Sequence, residues 1–159
     1  MPKAKSSPKA DPAAIVELGM VLMMDVSINV DYTLDIKDVE KNLFLEAELT
    51  KPTETERSGE KDGYSYFYVC KFRCGRRVKD TEDEVHLISA KYGAFLKSPI
   101  EMGDNVSDFA IRKSASSIWP RFLAVAAILS QQMYIKLPQL PNMIDHDHFS
   151  FAEELEDIS

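Results

Sequence analysis

Strand-like segments come first in this chain and a long helix follows them, with no strand–helix alternation, and that order constrains the fold more than any other feature. From Val26 to Ile36 the alternation is complete. Val26, Ile28, Val30, Tyr32, Leu34 and Ile36 point one way, and Asp25, Ser27, Asn29, Asp31, Thr33 and Asp35 the other, the period of a half-buried strand. A second segment, 42–50, sets Leu43, Leu45, Ala47 and Leu49 against Phe44, Glu46 and Glu48. A third, 64–78, aligns Tyr64, Tyr66, Tyr68, Cys70, Phe72 and Cys74, and a fourth runs over 85–97, with Gly93 marking a bulge or bend. Between the second and third lies a polar Pro/Gly/Thr-rich loop, 50–63. Such an order predicts an α+β fold: a four-stranded antiparallel sheet with a long helix and a short second helix packed on one face.

The helix is read from Ser117 to Leu129. Trp119, Phe122, Leu123, Ala126, Leu129 and Met133 recur at helical spacing. Pro120 has no backbone donor and a fixed φ, so the pattern places it in the first helical turn. Trp119, Phe122 and Ala126 are read as core or helix-pairing residues, and Ala124, Ala126 and Ala127 leave room for close helix approach. The chain then exits through Pro138-Gln139-Leu140-Pro141.

At 159 residues the chain suffices for one domain. The expected division is a basic tail over 1–14, a domain over 15–144 and an acidic helix or tail over 145–159, where six carboxylates occur without a Lys or Arg. A net charge of -7 argues against a general phosphate-binding surface. No run approaches the ~20 apolar residues of a membrane helix. Cys70 and Cys74 share a strand face roughly 13 Å apart, too far to bridge, so reduced thiols and a cytoplasmic setting are expected.

The residues resemble a family. Met24-Asp25-Val26-Ser27-Ile28 is similar to the first-strand Lys-Asp-Ile-Ser-Phe of SecB-type protein-export chaperones. Ala90-Lys91-Tyr92-Gly93-Ala94-Phe95 resembles their glycine-containing fourth strand. Ile118-Trp119-Pro120-Arg121 resembles the Leu-Phe-Pro-Tyr-Ala-Arg start of their long helix, and Pro138-Gln139-Leu140, then Phe149, the exit toward their second helix. The likeness runs over about residues 20–152. It implies a homo-oligomer, a dimer of dimers, acting as an ATP-independent holdase for unfolded clients in protein export or, as in relatives beside toxin–antitoxin pairs, for an antitoxin. Asp25 matches an acidic position read by the SecA ATPase, but Asn29 stands where a neighbouring carboxylate is usual. With the long loop and basic tail, this points to a specialised relative.

A holdase needs apolar surface that accommodates many sequences. Phe44, Tyr66, Phe67, Val69, Ile100, Met102, Leu137 and Leu140 are the expected client groove, and Asp25, Asp31, Glu46 and Glu48 the acidic docking face. Trp119, Phe122 and Ala126 are the expected oligomer contacts. The alternative is a single-stranded nucleic-acid reader, since Tyr64, Tyr66 and Tyr68 alternate as stacking aromatics do. Asp62 occupies the place of the leading basic residue there, and the overall acidity counts against it. Asp145-His146-Asp147-His148 invites a metal, yet lacks the further ligands a site needs. No phosphate loop or nucleophile triad is apparent, so no enzyme, cofactor, metal or nucleic-acid partner is expected.

Overall fold

The computed structural model describes residues 16–55, 63–132 and 140–152. The expectations about the tail 1–14, Leu137, Met133 and residues 153–159 lie outside them.

An α+β architecture is present, with six strands rather than four in the sheet among the described residues: β1 (Glu17–Asn29), β2 (Phe44–Thr50), β3 (Thr53–Glu54), β4 (Tyr64–Arg77), β5 (Glu84–Ser98) and β6 (Phe149–Ala152). The order across it is β1-β5-β4-β2-β6, and β3 continues the line of β2 against β4. All neighbours are antiparallel except β6, which joins β2 in parallel, Ala47 opposite Phe149. Among the described residues no second helix follows the long one. Asp145 to Ala152, read as part of a helix or tail, instead forms a turn at His146–His148 and then β6.

Two other departures have local causes. The alternation over 26–36 is not one strand, because β1 ends at Asn29. The Asp31 carboxylate accepts from the Thr33 N–H at 2.8 Å, and Asp35 accepts from the Lys37 N–H at 3.1 Å to cap the short turn Ile36–Asp38. These local bonds compete with the strand ladder, and they win. At its other end β1 starts earlier than the alternation shows. Glu17 to Met24 is continuously apolar after Glu17, and its pairing with β5 slips between Leu18 and Val21 and between Met23 and Asp25.

The long helix also begins earlier than expected. Helix α1 (Val106–Lys113) runs into a π-helical turn, Ser114–Ile118, and on into α2 (Trp119–Gln132). Pro120 therefore lies inside a continuous helical run. A proline there has no N–H to give, and its ring crowds the carbonyl four residues back. The widened turn just ahead, where the Trp119 N–H reaches back to the Ser114 carbonyl, is the irregularity that accommodates it.

The helical run covers one face of the sheet, and the core lies between them. Phe72 is its centre, fully buried, with rings of Trp119 at 5.3 Å, Phe122 at 5.4 Å, Phe149 at 6.1 Å and Tyr92 at 6.3 Å. Its cross-strand neighbours are Ala47 and Ala90, both small, so the Phe72 ring has space to rise toward the helix. Beneath the π turn the Tyr68 hydroxyl pairs with the Ser114 hydroxyl at 2.9 Å, which satisfies two buried groups at once. The Trp119 indole N–H donates to the Pro141 carbonyl at 3.1 Å and ties the returning chain to the helix.

Cys70 and Cys74 are both free and buried. Burial pushes the Cys74 thiol from 9.0 up to about 12 and, with a contribution from Cys70, the Tyr92 phenol from 10.0 up to about 12. Both groups are neutral in the fold and ionise sooner once it opens. Their contribution is therefore intact below the unfolded values and is lost as pH rises through the folded ones. Stability is expected to fall steadily from pH 9.0 toward about 12, checked by denaturant midpoints across that range; a flat profile would contradict the burial of both groups.

Candidate client-binding surface

The face of the sheet away from the helix is open, and β1 forms one of its borders, paired among the described residues only with β5. Natural edge strands discourage pairing with another chain through lysine, proline, charge or bulges, and of these β1 has two pairing irregularities but no Lys or Pro. Over its 13 residues β1 has two charges, Glu17 and Asp25, and it exposes Met20, Leu22, Met23, Met24 and Val26, each at 39% or more. Apolar groups project to both faces. Met23 and Val26 stand opposite the core-facing Tyr92 and Ala90, whereas Leu22 stands opposite Gly93 on the open face. A Cβ at Gly93 would lie 3.1 Å from the Met24 sulfur and 3.1 Å from Cε2 of Phe67. Glycine there admits both side chains over the strand, rather than marking a bend. The irregularity lies in β1 instead.

The Phe67 ring packs on Phe95 at 5.0 Å between centroids. Leu22, Met24, Phe67 and Phe95 thus make a continuous apolar ledge from the β1 edge onto the open face. Flexible methionines beside flat rings suit variable partners. The β1 residues were missed at the sequence level because a continuous apolar run has no period, although the absence of Lys and Pro over that length is a signal of an edge open to pairing.

The expected groove residues that are described do not form one groove. Phe67 and Val69 lie on the open face, although Val69 is buried. Tyr66 and Met102 belong to the core, where the Tyr66 hydroxyl accepts from the Met102 N–H at 3.0 Å. Ile100 is half-exposed in the bend after β5, and Leu140 packs on the core. Phe44 lies beneath the guanidinium groups of Arg77 at 5.2 Å and Arg73 at 5.9 Å. It pairs with Gly75, eight residues along β4 from Phe67, or about 26 Å. The expected oligomer contacts Trp119, Phe122 and Ala126 are spent within the protomer, none more than 2% exposed. Tyr66 and Tyr68, the stacking aromatics of the nucleic-acid reading, are likewise buried.

Of the docking residues, Asp25, Glu46 and Glu48 do share the open face, but Asp31 has left the sheet for the turn after β1. Nor is that face uniformly acidic. Arg73 reaches Glu46 at 2.5 Å and also pairs with Glu84, and Lys71 and Lys91 stand between Asp25 and Glu48. The strand alternation placed the carboxylates, while the compensating cations sit on strands read mainly for their aromatics. His148 pairs with Asp145 at 2.8 Å and holds that carboxyl below its ordinary value, and His146 lies 3.7 Å from Asp108. No three metal-binding side chains converge among the described residues, and no helix there is long and apolar enough to cross a membrane.

Among the described residues a six-stranded, largely antiparallel sheet carries one interrupted helix on a single face, an arrangement that resembles the fold of a SecB-like chaperone. One solved structure it resembles is that of Rv1957, a SecB-like chaperone of Mycobacterium tuberculosis in complex with a ChAD peptide from the Rv1956 HigA1 antitoxin. The TM-score is 0.51 at 10% identity, over 81% of this chain and 91% of that one. At that identity the likeness speaks for the fold. No protein-family model matches the chain, and no curated protein does.

Proposed function

We propose that this protein is a non-catalytic chaperone that holds extended, non-native polypeptides, an antitoxin among them, without ATP. The observation that carries the reading is the β1 edge, which among the described residues pairs on one side only and is bordered by Met20, Leu22, Met23, Met24 and Val26. Strand addition supplies sequence-independent backbone bonds, and the Leu22–Met24–Phe67–Phe95 ledge takes alternate side chains. The same edge suits a second copy of the chain, so assembly as a homodimer or a dimer of dimers belongs to the proposal. Antitoxin protection is favoured over export, because the cations among Asp25, Glu46 and Glu48 weaken the open face as a dock for a basic SecA segment. The solved structure bound to an antitoxin peptide adds support at the level of the shared fold.

The test is light scattering during refolding of an aggregation-prone protein, with the mass of the present protein measured in the same sample. Suppression without ATP at near-stoichiometric ratios is expected. Unaltered aggregation would sink the proposal.

A further inference from the structure

The two pairing slips of β1 each hold a methionine. Leu18 stands opposite Leu96 and Val21 opposite Ala94, so Gly19 and Met20 share the single place across from Phe95. Met23 stands opposite Tyr92 and Asp25 opposite Lys91, which leaves Met24 with no residue across from it. A bulged residue stands out of the ladder, and the strand bends around it. Met20, Met23 and Met24 are 56%, 54% and 56% exposed. The described methionines outside β1 differ from them in setting. Met102 is buried at 8%, and Met143, in the chain returning toward β6, is 82% exposed. Three thioethers therefore crowd into one short stretch of the border strand.

The Met24 sulfur has a defined neighbour. It and Cε2 of Phe67 both lie 3.1 Å from the point where Gly93 would carry a Cβ, so thioether and ring edge share the space that glycine leaves. A thioether packs favourably against a ring edge. A sulfoxide is polar, and its oxygen calls for a hydrogen-bond donor that neither Phe67 nor Phe95 supplies. Resting on the chaperone reading above, we propose that Met20, Met23 and Met24 form an oxidation site at which a hydroperoxide switches off polypeptide binding by β1. The sulfur lone pair attacks one peroxide oxygen, and the O–O bond breaks as the S–O bond forms. The departing hydroxide takes the proton of the transferred hydroxyl and leaves as water. Sulfur gives up two electrons, and the peroxide accepts them. Methionine sulfoxide reductases, drawing on a thiol reductant, return the thioether. Cys70 and Cys74 are shielded from the same oxidant by their burial in the core.

The test treats the whole chain with hydrogen peroxide. Peptide mass mapping follows each methionine, and light scattering during refolding of an aggregation-prone protein follows client binding. Met20, Met23 and Met24 are expected to gain oxygen about five- to tenfold faster than Met102, in keeping with their exposure. Suppression is expected to be largely lost in step with those three sulfoxides and to return after sulfoxide reductase treatment. A variant combining Met133→Leu and Met143→Leu, which lacks the two thioethers nearest the C-terminus, is expected to lose suppression in the same way. Oxidation of Met102 as fast as of the β1 methionines would overturn the proposal. So would suppression that persists once all three are sulfoxides, or that persists under peroxide in the double variant. Untreated protein that suppresses nothing would instead count against the chaperone reading, while the oxidation rates still judge the site.

Discussion

Phe72→Ala is expected to cost about 3–5 kcal/mol, the range for emptying a fully packed aromatic site. Set against a typical total of about 5–15 kcal/mol, the variant would keep little of its stability. The site cannot collapse to fill the gap. Its strand neighbours are Ala47 and Ala90, which have nothing to extend, and the ring is the shared contact of Tyr92, Trp119, Phe122 and Phe149. Those groups come from β5, from α2 and from β6, so one truncation loosens the helix and the last strand together. Urea unfolding of the wild type and the variant measures the loss. A change below about 1 kcal/mol would mean that the helix is not seated on this strand.

The second large effect concerns activity rather than stability. Leu22→Lys combined with Met24→Lys is expected to abolish most refolding suppression and to lower the oligomeric mass, while leaving the unfolding midpoint nearly in place. Leu22 is 50% exposed and Met24 is 56% exposed, so little core contact is lost. Two ammonium groups on an edge that otherwise has no lysine or proline discourage strand addition by any chain, whether client or copy. Light scattering, mass measurement and thermal unfolding on the same samples separate the outcomes. Full activity in a folded double variant would remove β1 from the mechanism.

The sheet-first order was legible because β2, β4 and β5 alternate cleanly, and the inward rows Tyr66–Cys74 and Ile88–Leu96 were readable from that period. β1 was half-hidden, because two pairing slips break its phase and its first half is apolar throughout. The alternation after Asn29 misled because aspartate at positions 31 and 35 supplies local turn bonds that periodicity does not register. Pro120 was read as a start signal, which is its usual meaning, whereas here a π turn absorbs it. β6 is only four residues long and sits among acidic residues, and its partner β2 is about a hundred residues away in the sequence. The candidate surface suffered most. Aromatic content picked out Phe44 and Tyr66, yet exposure depends on which strand lies at a border, and that is a property of topology.

The parallel pairing of β6 with β2 orders the events of synthesis. β2, β4, β5 and the helix can assemble as they leave the ribosome, but the free side of β2 stays bare until residue 152 has emerged. Phe149 then arrives last to close the aromatic cluster around Phe72. Between the completion of β5 and the arrival of β6 the sheet therefore has two borders open to pairing, and a stop codon placed before residue 149 would release a protein with that vulnerability made permanent.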